Sequence, residues 1–192
     1  MAKEHWLSVD IFLKKLKALG ATEDTHEFFV NLMSHWQVQF AVAGRKAEDV
    51  KHKLMVAQGS AISSVIFLIM IIDINEYVKG EGKTIGFADD ILGCTSDKDL
   101  DKALEKAQIQ AKEIVNYFHA NKFSIQTDKT ALMIISPTKG KSREVAKLEI
   151  GEHLITEIDE IKFLGLHVDK FLSFKNHAEF VMRKVNSKAG VI

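Results

Sequence analysis

Two adjacent carboxylates, Asp89 and Asp90, interrupt an apolar stretch that runs Thr84-Ile85-Gly86-Phe87-Ala88 before them and Ile91-Leu92-Gly93-Cys94 after them. The two short runs predict the strands of a β-hairpin, with the acidic pair at its turn. Like charges side by side repel, so the hairpin by itself gains nothing from them. Two readings are open from these residues alone. The turn can be a solvated acidic corner. Alternatively a divalent cation offsets the repulsion, since hard cations such as Mg²⁺ take one or two carboxylates from a protein and their other ligands from water and phosphates.

The rest of the chain supplies a domain around that corner. At 192 residues and 46% apolar content it is long enough for a core of its own. Lys plus Arg and Asp plus Glu are equal at 26 each, so overall charge draws the chain toward no class of partner. The balance hides a gradient. Lys139, Lys141, Arg143 and Lys147 face Glu144 alone, and Lys170, Lys175, Arg183, Lys184 and Lys188 face Glu179. A basic C-terminal half of this kind suits either a wet surface or phosphates. The single cysteine, Cys94, excludes an internal disulfide and fits a reducing, intracellular setting in cytoplasm or nucleus. The most apolar stretch, Val65 to Ile72, is closed by Asp73 and is too short to span a bilayer, so it predicts a buried helix and no membrane partner. The start of the chain has neither an apolar signal core nor transit-peptide character.

Helical spacing marks Val9 to Leu19, closed by Gly20, and Glu23 to His35, capped by Thr22 with Phe28, Phe29 and Leu32 on its apolar face. Alternation over Gln37 to Ala43, a turn at Gly44-Arg45 and a returning run from Val50 to Val56 predict a strand pair. The apolar helix should follow Gln58-Gly59-Ser60 and run to about Tyr77. Ser96 and Asp99 form a capping box for the longest helix, whose stripe is Leu100, Leu104, Ala107, Ala111, Ile114 and Phe118. Strands are expected over Phe123 to Ile125, Thr130 to Ile135, Leu148 to Gly151 and Ile161 to Val168, a loop at Pro137 and Gly140, and a last helix over Asn176 to Lys188. Helices and strands mix without strict alternation, which predicts an α+β fold with an antiparallel sheet packed on helices.

Taken in order, these pieces resemble the palm of a reverse transcriptase from a non-LTR, LINE-type retrotransposon, over nearly the whole chain. Val56-Ala57-Gln58-Gly59-Ser60-Ala61-Ile62-Ser63-Ser64, followed by Phe67-Leu68-Ile69 and Asp73, is similar to that family's Gly-Val-Pro-Gln-Gly-Ser loop and helix. Phe87-Ala88-Asp89-Asp90 matches its catalytic Phe-Ala-Asp-Asp hairpin. Phe118 to Ile125, then Lys129-Thr130 and Met133, resemble the helix, strand and Lys-Thr element that come next. Phe163-Leu164-Gly165 matches the hairpin that holds the primer end, and Leu172-Ser173-Phe174 with His177 and Lys184 resembles the start of the thumb.

The resemblance implies RNA-templated DNA synthesis by two-metal nucleotidyl transfer, with RNA template, DNA primer and deoxynucleoside triphosphate as partners. It implies a Mg²⁺ site on Asp89 and Asp90, with the larger share on Asp89. It also assigns template and nucleotide positioning to Gln58, Gly59 and Ser60, sugar screening to Trp6, and a proton-donating role to Lys129. Each residue also has a plainer reading: Gln58-Gly59-Ser60 as a strand-to-helix turn, Lys129 as an exposed turn lysine, and Phe163, Leu164 and Gly165 as core.

Departures from the family pattern are as informative. The family's first catalytic strand reads like Asp-x-x-x-Ala-Phe-Asp-x-Val-Asp, and Trp6-Leu7-Ser8-Val9-Asp10 aligns with its end, so the catalytic carboxylate's place falls on Met1. Glu4 and Asp10 are acids at other positions. Met55, Ala57, Ser63 and Ser64 replace the loop's usual Gly, Pro, Gly and Pro, which changes the backbone angles that come cheaply. The expectation is therefore a palm over residues 1–168 with fingers absent, a truncated thumb over 169–192, and a fragment inactive on its own. A non-catalytic nucleic-acid-binding remnant is the alternative, and a marginally folded piece with an exposed apolar patch is a third.

Overall fold

The computed structural model describes residues 8–34, 41–42, 45–46, 61–136 and 144–190. The chain divides into two compact units, Met1–Ile125 and Gln126–Ile192. The mixture is α+β, as the element pattern predicts.

The first unit begins with α1 (Val9–Ala18), whose buried Phe12 and Leu16 stand one turn apart on its inner face. Gly20 ends it as expected. Its φ of +83° lets the Gly20 N–H reach Lys17 O and the Ala21 N–H reach Leu16 O, the bond pair of a Schellman cap. The next helix, α2 (Glu23–Ser34), starts on Thr22, whose Oγ1 accepts from the Thr25 N–H at 3.4 Å. Phe29 is buried and meets Phe12 edge-on, with ring centroids 5.0 Å apart. Phe28 departs from the expected apolar face and is half exposed, because consecutive residues on a helix point about 100° apart and only one can enter this core.

Ala41–Val42 and Arg45–Lys46 form a short antiparallel ribbon, β1 and β2, with Val42 opposite Arg45. The expected return run, Val50 to Val56, lies outside the described residues, as do Gln58, Gly59, Ser60 and Trp6.

The apolar helix is broken in two: α3 (Ala61–Ile71) and the single turn α4 (Ile74–Tyr77). Ile66 and Met70 pack against Phe12, Leu16 and Phe29, while Ile71 and Ile74 join Tyr117 and Phe118 in a second cluster. The expectation of a fully buried helix is corrected, since Val65, Leu68 and Ile72 remain 49–57% exposed. The break has a tertiary cause. A continuing helix would offer Met70 O to the Ile74 N–H, but here Met70 O accepts instead from Lys15 Nζ at 2.7 Å and from the Tyr117 hydroxyl at 3.0 Å.

The acidic hairpin forms as predicted, from β3 (Gly82–Phe87) and β4 (Asp90–Thr95). The long helix α5 (Leu100–Ala120) follows it. Its cap is Asp99, not the Ser96 pairing the sequence suggests: Asp99 Oδ1 accepts from the Asp101 N–H at 2.9 Å and the Lys102 N–H at 3.2 Å. Asp97 Oδ1 in turn accepts from the Asp99 N–H. The expected stripe faces inward, ending on buried Phe118, and it is joined by two polar residues that are as deep, Gln110 and Tyr117.

Phe123 to Ile125 does not form a strand. Phe123 is drawn into an aromatic cluster with Phe67 and Phe118, at centroid distances of 5.7 and 6.0 Å, and that packing overrides its strand propensity.

In the second unit, Thr127–Lys129 is a 3₁₀ turn, and the strand expected over Thr130 to Ile135 reduces to one parallel bridge between Leu132 and Glu157. Two hairpins follow, β5 (Lys147–Ile150) with β6 (His153–Thr156) and β7 (Glu160–Phe163) with β8 (Leu166–Asp169). Leu164 and Gly165 both have positive φ, +48° and +85°, the sign pattern of the type I′ turn that matches strand twist. Buried Ala146, Leu148, Ile150 and Ile155 give this unit its core. Helix α6 (Lys175–Ala189) is entered through Phe174 at φ +54°, a bend that Asp169 holds by accepting from the backbone N–H groups of Phe171, Ser173 and Phe174. Among the described residues the strands form four separate two-stranded ribbons, so the expected antiparallel sheet is corrected to isolated hairpins. No described helix is long and apolar enough to cross a membrane.

Candidate active site

The corner carrying the acidic pair is tight. Phe87 pairs with Asp90, which leaves Ala88 and Asp89 as the two central turn residues. Ala88 has φ +50° while Asp89 does not have positive φ, the sign pattern of a type II′ turn. Glycine is the usual occupant of that first position, so Ala88 holds a strained conformation next to the acids. Asp89 and Asp90 are both exposed, and among the described residues no Lys or Arg is salt-bridged to either.

Strand pairing sorts the ribbon into two faces. Opposite residues share a face, so Gly82, Thr84, Gly86, Ile91, Gly93 and Thr95 lie on one side. That side meets the helices: Thr95 Oγ1 donates to Ala103 O at 3.1 Å, and Ile91 packs against the cluster of Ile71, Ile74, Tyr117 and Phe118. Three glycines on this face let the ribbon lie close. A Cβ on Gly82 would stand 2.7 Å from Cys94 O and 2.8 Å from Gln110 Nε2, closer than real Cβ atoms come. A Cβ on Gly93 would stand 3.0 Å from Gln110 Oε1. Gln110, only 2% exposed, fills the space so made and donates from Nε2 to Lys83 O at 3.1 Å and Thr84 Oγ1 at 3.2 Å.

The other face carries Lys83, Ile85, Phe87, Asp90, Leu92 and Cys94. Ile85 and Phe87 are 52% and 61% exposed. Asp90 therefore shares an open, largely apolar surface with Phe87, while Asp89 caps the turn.

Charged groups pin the base of the hairpin and the helices beneath it. Lys106 bridges Glu81 and Asp97, at 2.6 and 2.9 Å. The Asp99 backbone N–H and the Lys106 ammonium hold the Asp97 carboxyl down to about 2, and Glu81 and Asp97 together raise the Lys106 ammonium. Glu113 Oε2 accepts from the Gly80 N–H at 2.9 Å. Deeper, Lys15, Asp73 and Tyr117 meet around Met70 O. Desolvation is the largest single influence on Asp73 and pushes its carboxyl upward, but hydrogen bonds from Lys15 and Tyr117 and the Lys15 charge outweigh it, leaving it below the usual value. Burial, then Asp73, pushes the Tyr117 phenol up, so it stays a neutral hydroxyl that donates to Asp73 and Met70 O and accepts from Lys15.

Of the residues singled out from the sequence, Asp89 and Asp90 are brought together at one exposed tip in the first unit. Lys129 ends an exposed 3₁₀ turn in the second unit, and Phe163, Leu164 and Gly165 form the β7–β8 corner there. Phe163 is half buried, Leu164 is 46% exposed and Gly165 is exposed, so none of the three belongs to the buried core of the described residues. Gln110, Lys15 and Tyr117 are additions that sequence patterning did not mark. The available signal for Gln110 was a polar residue beside Ala111 in an apolar helical stripe, facing a ribbon rich in glycine.

Two oxygen-only, acceptor-only carboxylates on a rigid corner suit a hard cation that keeps most of its water. Among the described residues no third His, Cys, Asp or Glu joins them to make a protein-built cage. An acidic hairpin on an α+β scaffold is the class of site that fold and geometry define. The family model described as "Reverse transcriptase (RNA-dependent DNA polymerase)" matches residues 6–168, and the chain belongs to that family. No curated protein matches the chain.

Proposed function

We propose that this chain carries the palm of a LINE-type, non-LTR reverse transcriptase over residues 1–168 and the beginning of the thumb over 169–192, and that Asp89 and Asp90 are its metal-binding acids. The observation that supports this most is the acidic pair at a strained two-residue corner, exposed and without a cationic partner among the described residues, inside the segment matched by the family. Mg²⁺ bound there would supply charge stabilisation to the attacking and leaving oxygens of phosphoryl transfer. The protein's own contribution is to hold two carboxylates in a fixed place. The hairpin does so with a turn pinned by six residue pairs and a base anchored on α5. Lys129 is assigned the proton-donor role, Phe163, Leu164 and Gly165 the primer-end contact, and Gln58, Gly59, Ser60 and Trp6 the template, nucleotide and sugar contacts.

The resemblance puts the third catalytic acid's place on residue 1, where Met1 carries no carboxylate, so these 192 residues are proposed to be inactive by themselves. Primer extension on an RNA template with Mg²⁺ tests both parts. The chain alone should extend nothing. Joined to an upstream segment that supplies fingers and the missing aspartate, it should extend, and Asp89→Asn should reduce that extension by about 100-fold or more, as loss of a ligand to a charge-stabilising metal does. Extension by the chain alone, or extension indifferent to Asp89→Asn, would refute the assignment.

A second reading, a non-catalytic module that binds RNA or DNA, is favoured by α6. That helix exposes Lys175, Arg183, Lys184 and Lys188 against Glu179, and Lys184 Nζ lies 4.7 Å from the Phe180 ring centroid. Binding of this kind falls steeply with salt and survives loss of Asp89 and Asp90.

A further inference from the structure

We propose that Gln110 is a positioning residue for the acidic corner: from within α5 it sets the height and roll of the β3–β4 ribbon and so the place of Asp89 and Asp90. The inference rests on the reading of those acids as metal ligands. Gln110 is one of two buried amide side chains among the described residues, the other being Asn121, whose amide merely caps its own helix at Tyr117 O. Gln110 instead reaches across to a different element. Its Nε2 donates to a β3 carbonyl, Lys83 O, and to the Thr84 hydroxyl, while its Oε1 lies against the place where Gly93 has no side chain.

This arrangement has features that plain packing lacks. The two glycines that flank the amide, Gly82 and Gly93, belong to opposite strands and stand two register steps apart on the same face, Gly82 opposite Thr95 and Gly93 opposite Thr84. A planar amide thus contacts both strands at the base of the ribbon. The corner lies at the far end of the same six-pair ladder, so a tilt at the base is carried to Asp89 and Asp90. An apolar residue of equal volume would fill the gap but remove the donor that Lys83 O, beside its ladder bond, and the Thr84 hydroxyl receive from α5, so the ribbon would lose its polar tie to the helix and be free to shift on it. Groups that hold a ligand's support in place commonly matter to a metal site as much as the ligands' own neighbours do.

The test uses the full chain and two independent readouts. Residual dipolar couplings of backbone amides report the orientation of β3–β4 against α5 without any metal. Titration with Mn²⁺, read as paramagnetic broadening at the corner amides, reports the site. Gln110→Met should fold, rotate the ribbon couplings relative to those of α5, and weaken Mn²⁺ broadening at Asp89 and Asp90 by about tenfold in apparent affinity. Gln110→Glu should show the same defect at neutral pH and regain wild-type couplings on acidification, because a protonated carboxyl again donates to Lys83 O. A mere filler of space would show no such rescue. Should Gln110→Met fail to fold, Gly93→Ala perturbs the same contact from the opposite side and should displace the couplings in its place. Unchanged couplings in both Gln110 variants would overturn the positioning role. Absence of Mn²⁺ broadening at the wild-type corner, or broadening that persists in Asp89→Asn/Asp90→Asn, would instead overturn the metal-ligand reading on which the proposal stands.

Discussion

Replacing Tyr117 by Phe removes one oxygen from the polar cluster that joins Lys15, Asp73 and Met70 O. Tyr117 is 2% exposed, and its hydroxyl donates toward Met70 O, at 3.0 Å, and Asp73 Oδ1, and accepts from Lys15 Nζ at 3.0 Å. The cost is set by what the variant leaves behind. Met70 O and Asp73 each keep Lys15 as a donor, so no buried acceptor is orphaned. The loss is then that of a hydroxyl bonded to two charged groups, Lys15 and Asp73, with its single proton shared between Asp73 and one carbonyl, about 2–4 kcal/mol in all. For a chain of this size, that corresponds to a fall in Tm of about 4–16 °C. Urea denaturation followed by fluorescence, with wild type, Tyr117→Phe, Lys15→Met and the double variant, gives both the cost and the coupling. The two single changes should be non-additive by about 0.5 kcal/mol or more, since both side chains contact Asp73 Oδ1. A Tyr117→Phe cost below about 0.3 kcal/mol, or strict additivity, would refute the claim that this cluster ties α1 and α5 to the break between α3 and α4.

Two further outcomes follow from the same geometry. Asp73 has a folded-state carboxyl held below its ordinary 3.8, so its contribution is fully present above that value and is lost as pH falls through the lower folded value; urea midpoints between pH 5 and pH 2.5 should drop more in wild type than in Asp73→Asn. Ala88→Gly should raise stability by about 0.5–1 kcal/mol, since the positive φ at residue 88 strains an alanine and not a glycine, and a lower urea midpoint would contradict the turn geometry.

The hairpin and α5 were legible because each is a local pattern: two apolar runs around an acidic pair, and a stripe repeating on one helical face. The end of α1 was legible for the same reason, since Gly20 alone can take the left-handed cap there. What sequence patterning missed depends on residues far apart in the chain. The break after Ile71 is made by Lys15 and Tyr117, which are 55 and 47 residues from the Met70 carbonyl they share. Phe123 to Ile125 has the composition of a strand, but Phe67 and Phe118 capture Phe123 first. The continuous sheet expected from the strand count is four ribbons among the described residues, because alternation predicts that strands pair and does not say which ribbons join. At the site itself, the acids were visible as charges out of place, whereas Gln110 looked like an ordinary surface residue until the glycines opposite it gave it a bed.

The glycine-lined underside of β3–β4 also governs how this stretch can change over generations. At positions 82 and 93 even a methyl group meets the glutamine, and at 82 also a backbone oxygen, while their neighbours at 83 and 94 look into open space. Variation along the ribbon is thus filtered residue by residue in alternation, open on the outward parity everywhere but at Asp90 and closed at the inward glycines that meet the glutamine. An element losing its upkeep would collect harmless changes at the outward positions other than Asp90 long before a single inward one unseated the corner.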